Sequence, residues 1–252
     1  MSALSVPASF VVLFLASLWA GVQNALAGGG AFITLPSMML TGMDARAANM
    51  TSTIAMFPAQ VATGWTGRRH AAGAAGLSFR ALVAISLLGG ALGASLLLVT
   101  SAAFFARLVP WLVLFATALF AWGSFGSRTR GTPRLNRFGT AGTQFVIAVY
   151  GGYFGGGIGF LMLAALTAAS VAMRTAAATK NVLAGVMNAS AVAIFAFSPE
   201  IRWRAAAVGC SGAILGGIAG AHMLQKVNER VLRVFVILIG AALTVGLFMR
   251  SP

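Results

Sequence analysis

Read from its start, the chain alternates long apolar runs with short stretches that hold its charges. Residues 47–67, 81–106, 108–127, 181–199, 205–225 and 234–249 contain no charged side chain, are bounded by charged residues, and are each close to the length of one bilayer-spanning helix. Two windows are longer. Residues 1–43 and 138–173 contain no Asp, Glu, Lys or Arg, and each holds a glycine-rich run near its middle. One helix cannot fill such a window. The pattern predicts in each a span, over 8–26 and 139–154, then a glycine-rich break, then a short helix that enters the membrane only partway. The expected fold is an all-α integral membrane protein of about eight transmembrane helices. Four fall in each half, with helix breaks or re-entrant segments at equivalent positions.

The halves repeat. Gly28-Gly29-Gly30-Ala31-Phe32, Arg46 and Ala48-Asn49-Met50-Thr51-Ser52 return 128 residues later as Gly156-Gly157-Ile158-Gly159-Phe160, Arg174 and Ala176-Ala177-Ala178-Thr179-Lys180. Gly89 to Ala94 echoes in Gly216 to Ala221 at an offset one residue shorter. The division falls into residues 1–127 and 128–252, with Ser124 to Arg137, which holds Pro133 and four arginines, as the linker.

Non-helical backbone at membrane depth survives only where it lines a cavity or is buried in protein. Glycine tolerates positive φ and lets a ligand approach the main chain. A helix that starts after such a break aims free N–H groups and a positive dipole end at the gap, which suits an anion. Gly28, Gly29, Gly30, Gly156, Gly157 and Gly159 are therefore candidate binding residues. The competing reading is close helix packing by small residues, and it is the one taken for Gly89 to Ala94 and Gly216 to Ala221.

Composition narrows the classes. With 59% hydrophobic and 8% charged residues and a mean hydropathy of +0.92, the chain is no soluble globule. Its net charge of +14 is scattered between apolar runs without interleaved aromatics, so nucleic acid is not an expected partner. The arginines of the loops read as interfacial anchors. With eight spans, the side bearing the N-terminus collects ten Lys/Arg against six, which favours both termini inside. If the short segments cross fully, each half has an odd number of spans and the halves are inverted; charge leaves both arrangements open. The first apolar run lacks a basic n-region and reads as a retained helix. Cys210 is the single cysteine, so no intrachain disulfide or cysteine metal site can form. No cofactor and no metal are expected, and the oligomeric state is left open.

The glycine run followed by Phe, a short apolar segment and an Ala-x-x-Thr-Ser or Ala-x-x-Thr-Lys motif, present in both halves, resembles the sulfite exporter TauE/SafE family of membrane transporters. Gly155 to Phe160 with Ala176 to Asn181 and Asn188 is the more specific part; the first copy has Ala31 where the family's fuller run has glycine. The resemblance implies a multi-pass plasma-membrane protein that moves small sulfur-containing anions, such as sulfite, thiosulfate or organosulfonates, usually outward.

Polar residues within the spans supply the candidate chemistry. Lys180 lies inside a predicted helix, where a charged side chain costs roughly 2.5–3.5 kcal/mol. Two readings are open, an anionic substrate or a side chain that snorkels to the interface. Thr51, Ser52, Thr179, Asn181 and Asn188 offer neutral donors, with Gln23 and Asn24 comparable to Asn188. Arg46 and Arg174, equivalent by the repeat, are candidates for an anion vestibule or are interfacial anchors; Asp44 lies near Arg46. His222 reads as interfacial, and Asp44, Glu200 and Glu229 fall near span ends. No pair of carboxylates, metal cluster or activated nucleophile can be assembled, so no catalytic residue is expected and an enzyme is disfavoured. An anion channel is the nearest rival to a transporter.

Overall fold

The computed structural model describes residues 5–26, 29–125, 135–223 and 229–249. Among them are ten α-helices: α1 (Val6–Leu26), α2 (Ala31–Leu40), α3 (Ala45–Gly67), α4 (Phe79–Val99), α5 (Ala102–Phe125), α6 (Arg137–Tyr153), α7 (Ile158–Ala168), α8 (Met173–Phe195), α9 (Trp203–Met223) and α10 (Glu229–Phe248). The short helices α2 and α7, of 10 and 11 residues, follow the two glycine runs. Four helices are long and apolar enough to cross a membrane by length and composition, over Val6–Asn24, Phe79–Val99, Ala102–Leu119 and Met173–Phe195. The 23-residue α3 is long enough, but Asn49, Thr51, Ser52, Thr53, Gln60 and Thr63 lower its hydropathy.

Side-chain caps begin several helices. Asp44 accepts the N–H groups of Arg46 and Ala47 at 3.0 Å, Ser78 that of Ala81 at 3.2 Å and Asn136 that of Gly139 at 2.8 Å, each satisfying a donor that an α-helix leaves unpaired. One boundary differs from the sequence expectation. The windows 81–106 and 108–127 place it at Arg107, but the chain turns at Thr100 and Ser101, and the Ser101 hydroxyl accepts the Phe104 N–H at 3.2 Å. Arg107 is exposed within α5. A single arginine near a helix end reaches the interface along its own stem and need not end the helix.

Helices distant in sequence pair along their lengths. α1 runs along α9 and α4 along α6. Gly212 and Gly216 rest on the backbones of Phe14 and Leu18, and Gly89 and Gly93 on those of Phe145 and Val149, so both pairs are parallel. Any side chain on these glycines would collide with the neighbouring main chain. By contrast, α3 and α8 are antiparallel: Gly64 lies against Asn181 and Val182, Gly67 against Ala178, and Gln60 bonds to Asn188. α5 and α10 are antiparallel too, with Trp111 edge-on to Phe248 at 5.0 Å and Gly240 against Thr117. Leu13, Phe32, Met38, Phe105 and Phe195 belong to the buried core between them.

Candidate functional site: a polar cavity where the two glycine breaks meet

Gly29, with φ of 83°, and Gly157, with φ of 74°, occupy left-handed conformations that other residues rarely adopt, and they turn the chain into α2 and α7. Gln23 supports the first turn by donating from Nε2 to the Gly29 carbonyl at 3.3 Å. Gly30 and Ala31 from the start of α2, and Ile158 and Gly159 from the start of α7, line one cavity of about 50 Å³. A buried water needs roughly 10–15 Å³ on this scale, so the space suits a few waters or one small ion.

The remaining wall comes mainly from α3 and α8. Ser52, Thr53, Gln60 and Thr63 face Lys180, Asn181 and Asn188, and Asn24 closes the side next to α1. Lys180 reaches over the start of α7: a Cβ built on Gly159 would stand 3.5 Å from its Nζ. No Asp or Glu lines the cavity among the described residues. Asn188 donates from Nδ2 to Gln60 Oε1 at 2.6 Å, while its buried Oδ1 has no hydrogen-bond partner among the described residues. Two helix starts, one lysine, and amides with spare capacity thus converge on one space between α3 and α8.

The structure sorts the sequence candidates. Gly29, Gly30, Ser52, Gly159, Lys180, Asn181 and Asn188 line the cavity, whereas Gly156 and Gly157 shape the turn behind it. Gly28 lies outside the described residues. Thr51 and Thr179 point away and do another job. Each is fully buried and holds a loop of the opposite half: Thr51 Oγ1 accepts the Arg202 N–H at 3.4 Å, and Thr179 Oγ1 accepts the Ala72 N–H at 3.0 Å. Thr179 also donates to the Ala72 carbonyl at 3.3 Å.

Arg46 and Arg174 stand at opposite ends of the bundle because α3 and α8 are antiparallel. Arg174 is exposed. Arg46 is engaged: its guanidinium forks onto both oxygens of Glu200, with Nε to Oε2 at 3.0 Å, and donates to the carbonyls of Leu98 and Thr100. Asp44, the acid the sequence placed beside it, is occupied as the helix cap. Sequence reasoning missed Gln60, although a signal was there. It lies 128 residues before Asn188, the offset of the glycine motifs.

A membrane-embedded helical bundle with a small polar cavity between broken helices has the anatomy of a transporter. The comparisons agree. The family model for the sulfite exporter TauE/SafE matches residues 13–247, and the chain belongs to that family. A "Probable membrane transporter protein" from Haemophilus influenzae is 30% identical over 240 residues, covering 92% of each chain. "Probable membrane transporter protein ORF9" from a Sinorhizobium species is 26% identical, covering 93% of this chain and 90% of its own. "Probable membrane transporter protein YfcA" from Escherichia coli is 24% identical, with 95% and 90% covered. No solved structure matches. The chain is a multi-pass membrane protein of a transporter family, placed in the plasma membrane.

Proposed function

We propose that this protein is a secondary transporter that exports small sulfur-containing anions, such as sulfite, thiosulfate or organosulfonates, and binds them in the central cavity. The observation that carries the reading is Lys180, which enters a cavity without a lining carboxylate among the described residues, beside the starts of α2 and α7. A lysine beside helix N-termini meets the positive ends of two macrodipoles, and an anion relieves all three at once. Ser52, Asn181 and the amide pair of Gln60 and Asn188 supply neutral donors, and Gly29, Gly30 and Gly159 leave room for main-chain contact.

The same reading divides the chain into two homologous halves, residues 1–127 and 128–252, each with four long helices and one short one. The antiparallel packing of α3 on α8 and of α5 on α10 supports an axis across the helices, hence halves of inverted topology. In that arrangement α2 and α7 return from mid-depth in opposite directions and meet start to start.

The test is thermal unfolding of the detergent-purified protein against sulfite, thiosulfate, sulfoacetate, sulfate, phosphate and chloride. Because a ligand of the folded state raises stability by mass action, an anion present at about 100 times its Kd adds about 2.7 kcal/mol. The expected result is an upward shift with one or two sulfur oxyanions that is lost in Lys180→Ala. A folded protein that no anion stabilises would remove the substrate class.

A further inference from the structure

The cavity is closed on one side only. Toward the Arg174 end, Asn24, Gln60, Thr63, Lys180 and Asn181 are partly exposed. Toward the Arg46 end, Ser52, Thr51, Met50 and Asn49 are at most 3% exposed. A ladder of contacts continues from the cavity floor to that end. Ser52 and Thr34 share a hydrogen bond between their hydroxyls. Asn49 donates to the Tyr153 carbonyl at 3.1 Å. Tyr153 stacks edge-on to Phe105 at 5.6 Å, and its hydroxyl lies 3.3 Å from that of Thr100. The Thr100 carbonyl accepts from Arg46, which is locked by Glu200. The ladder ties α2, α3, α4, α5, α6 and the loop after α8 together.

Among the described residues the opposite end shows no counterpart. At the repeat offset, Asp44 becomes Ala172, Asn49 becomes Ala177, and Glu200 corresponds to Ala72. Arg174 stands exposed where Arg46 is engaged.

We propose that Arg46, Glu200, Thr100 and Tyr153 form a gate on one face of the membrane, with Arg46–Glu200 as its latch, and that the cavity here is open to the Arg174 face. This rests on the reading of the cavity as a transport site. Passage to the other face requires the fork between Arg46 and Glu200 to break, because that pair spans the start of α3 and the loop entering α9, which separate as the floor opens. Among the described residues no ion pair stands at the opposite gate, so the two gates are expected to respond differently to loss of a charge.

The experiment uses a reporter thiol and needs no substrate. Thr53→Cys, at the cavity floor, is placed in a Cys210→Ser background and treated with a membrane-impermeant maleimide in vesicles of both orientations. Labelling is expected from the Arg174 face. Glu200→Gln, which keeps the size of the side chain and removes its charge, should raise labelling from the Arg46 face by about tenfold, the change in open population for a shift of about 1.4 kcal/mol. Restoring the pair in swapped form, Arg46→Glu with Glu200→Arg, should bring it back toward the starting level. Arg46→Gln gives the same reading if Glu200→Gln does not fold. Labelling from the Arg46 face in the parent protein, or no rise in a folded latch variant, would overturn the gate. Anion-dependent thermal stabilisation of the parent protein separately tests the transport reading, so the two can fail independently.

Discussion

At the scale of single residues, adjacency on a helix decides which polar groups reach the cavity. Thr51 and Ser52 are neighbours in sequence but point about 100° apart around α3. Ser52 lines the cavity and Thr51 holds Arg202. Thr179 and Lys180 divide in the same way on α8, with Thr179 gripping Ala72. Thr179→Val should therefore lower stability by about 1 kcal/mol, the net worth of a hydrogen bond whose partner Ala72 is exposed, while leaving anion affinity unchanged. Unfolding in detergent and hydrogen exchange at the Ala72 amide would check it. Asn188→Leu should instead weaken anion-dependent stabilisation, because it removes the amide that anchors Gln60 in the cavity. The repeated Thr was conspicuous in the sequence for its spacing, but spacing alone does not say which face of the helix a side chain takes. Arg46 was legible as a position and illegible as a partner, since Glu200 is 154 residues away.

At the scale of elements, the apolar windows carried most of the fold. A charge-free window too long for one helix and broken by glycines yielded α1 with α2 and α6 with α7 as separate pieces. The turn at Thr100 was hidden because Arg107 offered a stronger but misleading signal. Pro36, Pro58 and Pro110 lie inside α2, α3 and α5, so proline gave no boundary there. The start of α7 depends on Gly157, whose φ of 74° would cost roughly 1–2 kcal/mol for an alanine. A Cβ there would also press on Ala116 at 3.0 Å. Gly157→Ala should lower the unfolding temperature and weaken anion binding together, because the displaced helix start carries Ile158 and Gly159 out of the cavity wall. An unchanged affinity in the folded variant would detach α7 from the site.

At the scale of the molecule, helix direction turns charge into sidedness. Arg68, Arg69, Arg80, Arg137 and Arg174 lie at helix ends on one face, and Arg46, Arg107, Arg202 and Arg204 on the other. The sequence between α5 and α6 adds Arg128, Arg130 and Arg134. Combined with the inverted halves proposed above, the positive-inside rule favours a cytoplasmic Arg174 face and an external Arg46 face. Eight spans alone favour the other orientation; the two readings part on whether α2 and α7 each complete a crossing. For that orientation a C-terminal alkaline phosphatase fusion should be active and a green fluorescent protein fusion dark; the opposite pattern would refute the orientation. The contact between Gln60 and Asn188 reaches beyond sidedness. If each half existed as a separate chain and two copies paired head to tail, these positions would be one residue meeting itself, and every gate on one face would be copied on the other. Such a homodimer cannot carry a one-sided lock. Joining the halves in one chain lets Glu200 and Ala72 diverge, which gives the molecule a front and a back.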